Sequence, residues 1–198
     1  GVVGADINIR KAWDINIGSK KIIVAVIDTG VKWNHPELKD NMWVNTAELN
    51  GKRGVDDDGN GFVDDLHGYD FVNNDNDPMD DQGHGTHCAG TAAGKNVGVA
   101  PDATIISVRV LDNYGAGYTS DIISGIDWSV NDCKKRTGGC ILSLSLGLTK
   151  HKSLNIAVTN SFDDGLIPVV AAGNNNDDAC LYSPASATRA VTVGSTTI

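Results

Sequence analysis

Lys21-Ile22-Ile23-Val24-Ala25-Val26-Ile27-Asp28-Thr29-Gly30 sets a run of aliphatic residues against a carboxylate and a sharp turn. The run over Lys21–Ile27 is continuous rather than alternating, and short, so it reads as a strand buried on both faces. Similar runs recur at Ala103–Val110, Ile141–Leu146, Leu166–Ala172 and Ala190–Val193. Helical patterns lie between them. Ser120 is placed to cap a helix through Ile122, Ile123, Ile126 and Val130, with Asp121 favourable in its first turn. Ser153–Phe162 offers a second helix, ended by Gly165 and Pro168. Strands alternating with helices imply right-handed crossovers, hence an α/β fold with a mainly parallel sheet and helices on both faces. In such sheets, sites gather beyond the carboxyl ends of the strands. Asp28, Ser145 and Asn174 all fall at such ends. Residues 1–198 show no repeat or linker and read as a single domain.

The net charge is −9, but ten Asp and no Lys, Arg or Glu lie between Asp56 and Asp81, so the remainder sums to −9 + 10 = +1. A local acidic block points to a cation rather than to a generally acidic surface. The absence of a basic stripe argues against nucleic acid as a partner. No apolar run approaches the roughly 18 residues that a membrane span needs. The chain begins Gly1-Val2-Val3, without Met or a signal-like segment, and reads as a processed form or a fragment.

Three polar residues invite a chemical reading. Asp28, at the end of a buried strand, can orient an imidazole and stabilise its protonated form, or simply cap the turn that follows. Asp-Thr-Gly also suits an aspartic protease, but that chemistry needs two facing carboxylates and the tripeptide occurs once. His84 stands between Gly83 and Gly85, ahead of the small residues Thr86, Ala89, Gly90, Thr91, Ala92 and Ala93, which leave room beside an imidazole and allow close helix packing. Histidine suits a general base, because its pKa lies near working pH. His87 competes for that role, and the residues alone do not choose between the two. A zinc pair of His84 and His87 lacks a third convincing ligand. Asn174 follows Ala171-Ala172-Gly173 and is either an amide donor at a rigid strand end or a loop residue.

The segments Val24–Gly30, Gly83-His84-Gly85-Thr86-His87-Cys88-Ala89-Gly90 and Val170–Asn174, in that order, resemble the subtilase family of serine proteases, its proteinase K-like branch in particular. The resemblance runs from about Trp13 to Gly194, roughly the first two thirds of a subtilase core. It implies a subtilisin-like fold lacking its C-terminal part. Asp28 and His84 would be the acid and base of a triad in the order Asp…His…Ser, and Asn174 the oxyanion donor. His87 then becomes structural. Gly115-Ala116-Gly117 and Ser145-Leu146-Gly147 match the two backbone edges that sandwich an extended substrate by strand addition. Ala171, Ala172 and Gly173 would wall the primary specificity pocket. The Gly-Thr-Ser nucleophile segment does not occur in residues 1–198. Ser195 follows Gly194 without the neighbours that segment requires, and reads as a strand-end serine.

In the acidic block, Asp56, Asp58, Asn60, the turn-making Gly61 and the Phe62 carbonyl follow the first seven positions of a calcium loop, and Asp65 is chosen over Asp64 to close the cage. The spacing departs from an EF-hand, because the twelfth position is His67. The expected cofactor is therefore Ca2+. Four cysteines permit three full pairings. Cys133 and Cys140 are spaced to close a short loop, and Cys88 reads as a buried free thiol. The resemblance gives Cys180 a disulfide partner further downstream. Together these imply a secreted or lumenal serine endopeptidase, monomeric, acting on polypeptides and inhibited by a propeptide, with no nucleic acid or membrane partner. The rival is a non-catalytic, calcium-stabilised module that binds peptides along the Gly115 and Ser145 edges.

Overall fold

The computed structural model describes residues 6–196. Its strands are β1 (Ile23–Asp28), β2 (Gly68–Asp70), β3 (Thr104–Arg109), β4 (Cys140–Leu144), β5 (Leu148–Thr149), β6 (Ile167–Ala171), β7 (Tyr182–Ser183) and β8 (Val191–Val193). Its α-helices are α1 (Ile9–Trp13), α2 (Thr46–Asn50), α3 (His84–Ala93), α4 (Thr119–Lys134) and α5 (Lys152–Asp163). Six strands form one parallel sheet in the order β2-β3-β1-β4-β6-β8, and β5 pairs antiparallel with β7.

Every residue of β1 is buried, as expected of a central strand covered on both sides. Ile23, Ala25 and Ile27 enter the core beneath α4 and α5, whereas Val24 and Val26 pack against Ala89 and Ala93 of α3. Successive side chains of a strand point to opposite faces, so one run serves two cores. Burying each of the larger side chains contributes about 1.5–3 kcal/mol. The chain steps from β1 to β3 on one side and then crosses to β4 on the other. The change of direction leaves a crevice beyond the carboxyl end of β1, next to Asp28.

Differences from the sequence reading lie mainly at the ends of elements. The fourth strand stops at Leu144, because Ser145–Gly147 leave the sheet to line cavities. Ser120 is not a helix cap. Tyr118 holds that position, without a side-chain cap bond, and Ser120 Oγ lies inside the first turn and donates to Asp121. The fifth helix is capped by His151 Nδ1, which accepts from the Leu154 amide. Gly165, at φ +97°, then turns the chain out of it. The short elements α1, α2, β2, β5 and β7 carry no periodic apolar signal. A disulfide between Cys133 and Cys140 joins the end of α4 to the start of β4.

Candidate active site

Asp28 ends β1 with its side chain wholly buried, and Oδ1 accepts hydrogen bonds from the Thr29 amide (2.7 Å) and from His84 Nδ1 (2.7 Å). His84 opens α3 and is about half exposed, at 47% of its side chain. A proton on Nδ1 bonded to a buried carboxylate leaves Nε2 as the free basic nitrogen. His87, three residues further along α3, instead lines a separate groove with His35, Glu37 and Val97. The tertiary fold thus separates two histidines that their spacing alone left equivalent.

Close packing makes the Asp28–His84 contact. A Cβ at Gly85 would overlap the Gly30 carbonyl and lie 3.1 Å from Asp28 Cβ, so only glycine lets α3 approach β1 this closely. The segment Pro78–Asp81 crosses the strand ends and clamps both parts. Asp80 Oδ1 accepts from Thr29 Oγ1 (2.9 Å) and from the Gln82 and Gly83 amides (3.0 and 2.8 Å), while Oδ2 accepts from the Thr86 amide (2.9 Å) and hydroxyl. Thr29 Oγ1 in turn accepts from the Gly85 amide. Burial by itself would raise the Asp80 carboxyl, but hydrogen bonds from Thr86, Gly83 and Gln82 outweigh it and hold the group below the usual carboxylate range. The nearly buried Arg109, at the end of β3, bonds the Met79 carbonyl and Asp81 and lies 3.4 Å from Asp70, which anchors the clamp to the sheet.

Two cavities flank the Ser145–Leu148 segment. The first, about 440 Å³, is lined by His84, Gln82 and Thr29, by Gly115, Ala116 and Gly117, and by Ser145, Leu146 and Gly147. The second, about 300 Å³, is lined by the same edge and by Ala171, Ala172, Gly173 and Asn174, with Tyr182, Ser183 and Ala185 behind. Both edges therefore border the His84 cavity although they lie far apart in the chain, while Asn174 lines the neighbouring cavity across the shared Ser145–Leu148 segment. Ser195 lines a third, more open space with Asn174–Asp178, which His84 does not border.

The profile of the subtilase family of S8 peptidases matches residues 19–198. The chain belongs to the subtilase family. It is 39% identical over 185 residues to alkaline serine exoprotease A of Vibrio alginolyticus, covering 93% of this chain and 30% of that protein. It is 38% identical to cerevisin of Saccharomyces cerevisiae, with 87% and 25% covered, and 39% identical to the extracellular serine proteinase of Thermus sp., with 87% and 36% covered. Among solved structures, a cold adapted subtilisin-like serine proteinase superposes with a TM-score of 0.76 at 39% identity, covering 92% of this chain and 57% of the other. Sphericase follows with a TM-score of 0.72 at 29% identity, covering 89% and 54%. This subtilase chain thus spans about a quarter to just over a third of the length of these curated relatives, and just over half of the solved structures.

The acidic loop of this subtilase has a partner that the sequence reading missed. Glu48, buried on α2, accepts from the amides of Asp57, Asp58 and Asp64, and oxygens of Glu48, Asp58 and Asp65 lie within 4.8 Å of one another. Asn45 joins them, donating from Nδ2 to both Asp58 and Asp65. Burial pushes the Asp65 carboxyl up to about 6; bonds from Asn60 and Asn45 oppose the shift, and the charges of Asp58 and Glu48 add to it. Asp56 bonds the amides of Gly59, Asn60 and Gly61 within its own loop, and Asn60 Oδ1 bonds the Phe62 amide. The available sequence signal was Asn45-Thr46-Ala47-Glu48, which reads as a helix start with an acid at its third position and hides a second role. Asp80 and Thr29 were also missed, because a loop aspartate and a turn threonine carry no pattern. Cys88 and Cys180 are free; Cys88 is half-buried rather than buried, and Cys180 is exposed.

Proposed function

We propose that this chain carries the acid and base of a secreted serine endopeptidase that cleaves extended polypeptides. The observation that supports this most is the 2.7 Å bond between fully buried Asp28 and His84, at the mouth of a cavity lined by both candidate edges. Asp28 holds the imidazole in the tautomer that leaves Nε2 free, and stabilises the imidazolium when it forms. His84 takes the proton from a serine hydroxyl as that oxygen attacks the scissile carbonyl, then returns it to the leaving amine. The serine is one that residues 1–198 do not supply. The Asn174 amide donates to the oxygen that becomes negative in the tetrahedral intermediate, a contribution of about a hundred- to a thousandfold in turnover. The substrate backbone pairs with the Gly115–Gly117 and Ser145–Gly147 edges as an added strand, and its side chain at the cleavage point enters the space walled by Ala171, Ala172 and Gly173. A propeptide occupying the same edges would hold the enzyme inactive.

The oxygen-rich donor set in the acidic block suits a hard divalent cation, Ca2+. Asp58 and Asp65, with Glu48 added from α2, would hold it. Asn60, the Phe62 carbonyl and Asp56 complete the expected set, with Asp56 bracing the loop. When bound, Ca2+ would cross-link the loop to α2. The extracellular relative and the short loop disulfide support a secreted protein, and among the described residues no helix is long and apolar enough to cross a membrane.

The test is labelling of the full-length protein with a serine-directed fluorophosphonate, alongside turnover of a fluorogenic peptide. Wild type should label and turn over, His84→Ala should do neither, and pepstatin should have no effect. Inhibition by pepstatin would refute the triad in favour of a dimeric aspartic site at Asp28. A protein that binds peptides but neither labels nor cleaves would be the non-catalytic module instead.

A further inference from the structure

The carboxylate at the centre of the site is only half satisfied. Asp28 Oδ1 takes both the His84 and Thr29 hydrogen bonds, while Oδ2, on a residue with no exposed surface, has no partner among the described residues. A buried carboxylate oxygen without a donor is costly. Something should donate to it.

Cys88 stands one turn along α3 from His84. A ring nitrogen of His84, a carboxylate oxygen of Asp28 and Cys88 Sγ all lie within 4.8 Å of one another, and Sγ is 3.9 Å from His84 Nδ1. The thiol cannot give its proton to that nitrogen, because Nδ1 is itself donating to Asp28. Burial, with the neighbouring Asp28 and Asp80 charges adding to it, keeps the thiol protonated, while contact with Ser145 acts in the opposite sense. A protonated thiol is a weak donor, and the orphaned Oδ2 is the acceptor that remains.

We propose that Cys88 is a positioning residue, whose S–H donates to Asp28 Oδ2 so that the carboxylate facing His84 is held on both oxygens. This inference rests on the reading of Asp28 and His84 as acid and base, and gives a task to a thiol that packing alone would leave idle.

The test compares wild type, Cys88→Val and Cys88→Ser in the full-length protein. Valine removes the donor and leaves an apolar group one heavy atom larger; serine keeps a donor and places a more polar group in the same half-buried space. A donor role predicts that Cys88→Val lowers kcat three- to tenfold at unchanged KM and shifts the low-field proton resonance of His84 Nδ1. Cys88→Ser should then return both to within about twofold of wild type. A packing role predicts the reverse order, with valine equal to wild type and serine impaired. Wild-type kcat and an unmoved resonance in Cys88→Val would overturn the proposal. Thermal melts report whether each variant folds, and Cys88→Val decides alone if the serine variant does not. Should wild type prove to have no peptidase activity, the protease reading falls, and the His84 resonance still decides whether Cys88 holds Asp28.

Discussion

Replacing Gly85 by alanine should separate helix α3 from strand β1 and disable the site without altering the identity of any functional side chain. The added Cβ would overlap the Gly30 carbonyl oxygen, and a carbon needs about 3.3 Å from such an oxygen. Restoring that spacing moves α3 outward by about 1 Å. The His84–Asp28 bond, now 2.7 Å, would then pass beyond hydrogen-bond reach. A displacement of that size costs on the order of a hundredfold in rate when the moved group does the chemistry. Overpacking of this kind costs about 1–3 kcal/mol, which for a domain of this size lowers Tm by roughly 2–12 °C. Gly90→Ala is the control on the same helix. Nothing lies within 4 Å of a Cβ there, and alanine is the better helix former by about 1 kcal/mol. The assay is kcat on a fluorogenic peptide, with a thermal melt and the His84 Nδ1 proton resonance for each variant. If Gly85→Ala matches Gly90→Ala in all three, the close approach of the two backbones is not what sets the acid–base pair.

Asp80→Ala should destabilise the fold by about 2–4 kcal/mol, since it strands donors on Thr29, Gln82, Gly83 and Thr86; a melt within 1 °C of wild type would refute the clamp. Because the folded-state pKa of Asp80 is depressed, its contribution is present above the unfolded value of about 3.9 and is lost as pH falls through the folded one. The acid limb of Tm against pH should accordingly flatten in Asp80→Ala. Ca2+ at a hundredfold its Kd should stabilise the protein by about 2.7 kcal/mol, so chelation should lower Tm, and Asp58→Ala with Asp65→Ala should abolish the response. A double variant that still responds to chelator as wild type does would place the ion elsewhere. Glu48→Gln should weaken the response without removing it, and an unchanged calcium titration would exclude Glu48 from the site.

Much of the sheet was legible because its central strands are buried on both faces, which demands continuous aliphatic runs such as Ile22–Ile27. The short strand Gly68–Asp70 was not legible, because it ends in an aspartate made tolerable inside by the neighbouring Arg109 and by hydrogen bonds from Val72 and Asn73. The mini-sheet of Leu148–Thr149 and Tyr182–Ser183 was hidden for another reason: two residues have no period to read. The acidic loop shows the same boundary. Asp58 and Asp65 announce themselves by spacing, whereas Glu48 reaches them from a helix that precedes the loop, and its sequence signal is that of an ordinary cap.

By itself, then, the sequence determined the class of sheet, the strand ends where polar residues gather, and the residue types able to take part in acid–base chemistry. It did so because periodicity and turn chemistry act over a few residues. Tertiary structure alone decided which histidine meets Asp28, where Glu48 and Asp80 act, and that Cys88 stands beside the Asp28 carboxylate. Those outcomes depend on contacts between segments up to about 56 residues apart, such as Asp28 and His84, and are set by how closely two backbones can approach. That approach is governed by the missing side chain of Gly85, where α3 meets β1, and by that of Gly30, where Pro78–Asp80 crosses, as much as by the side chains that are present.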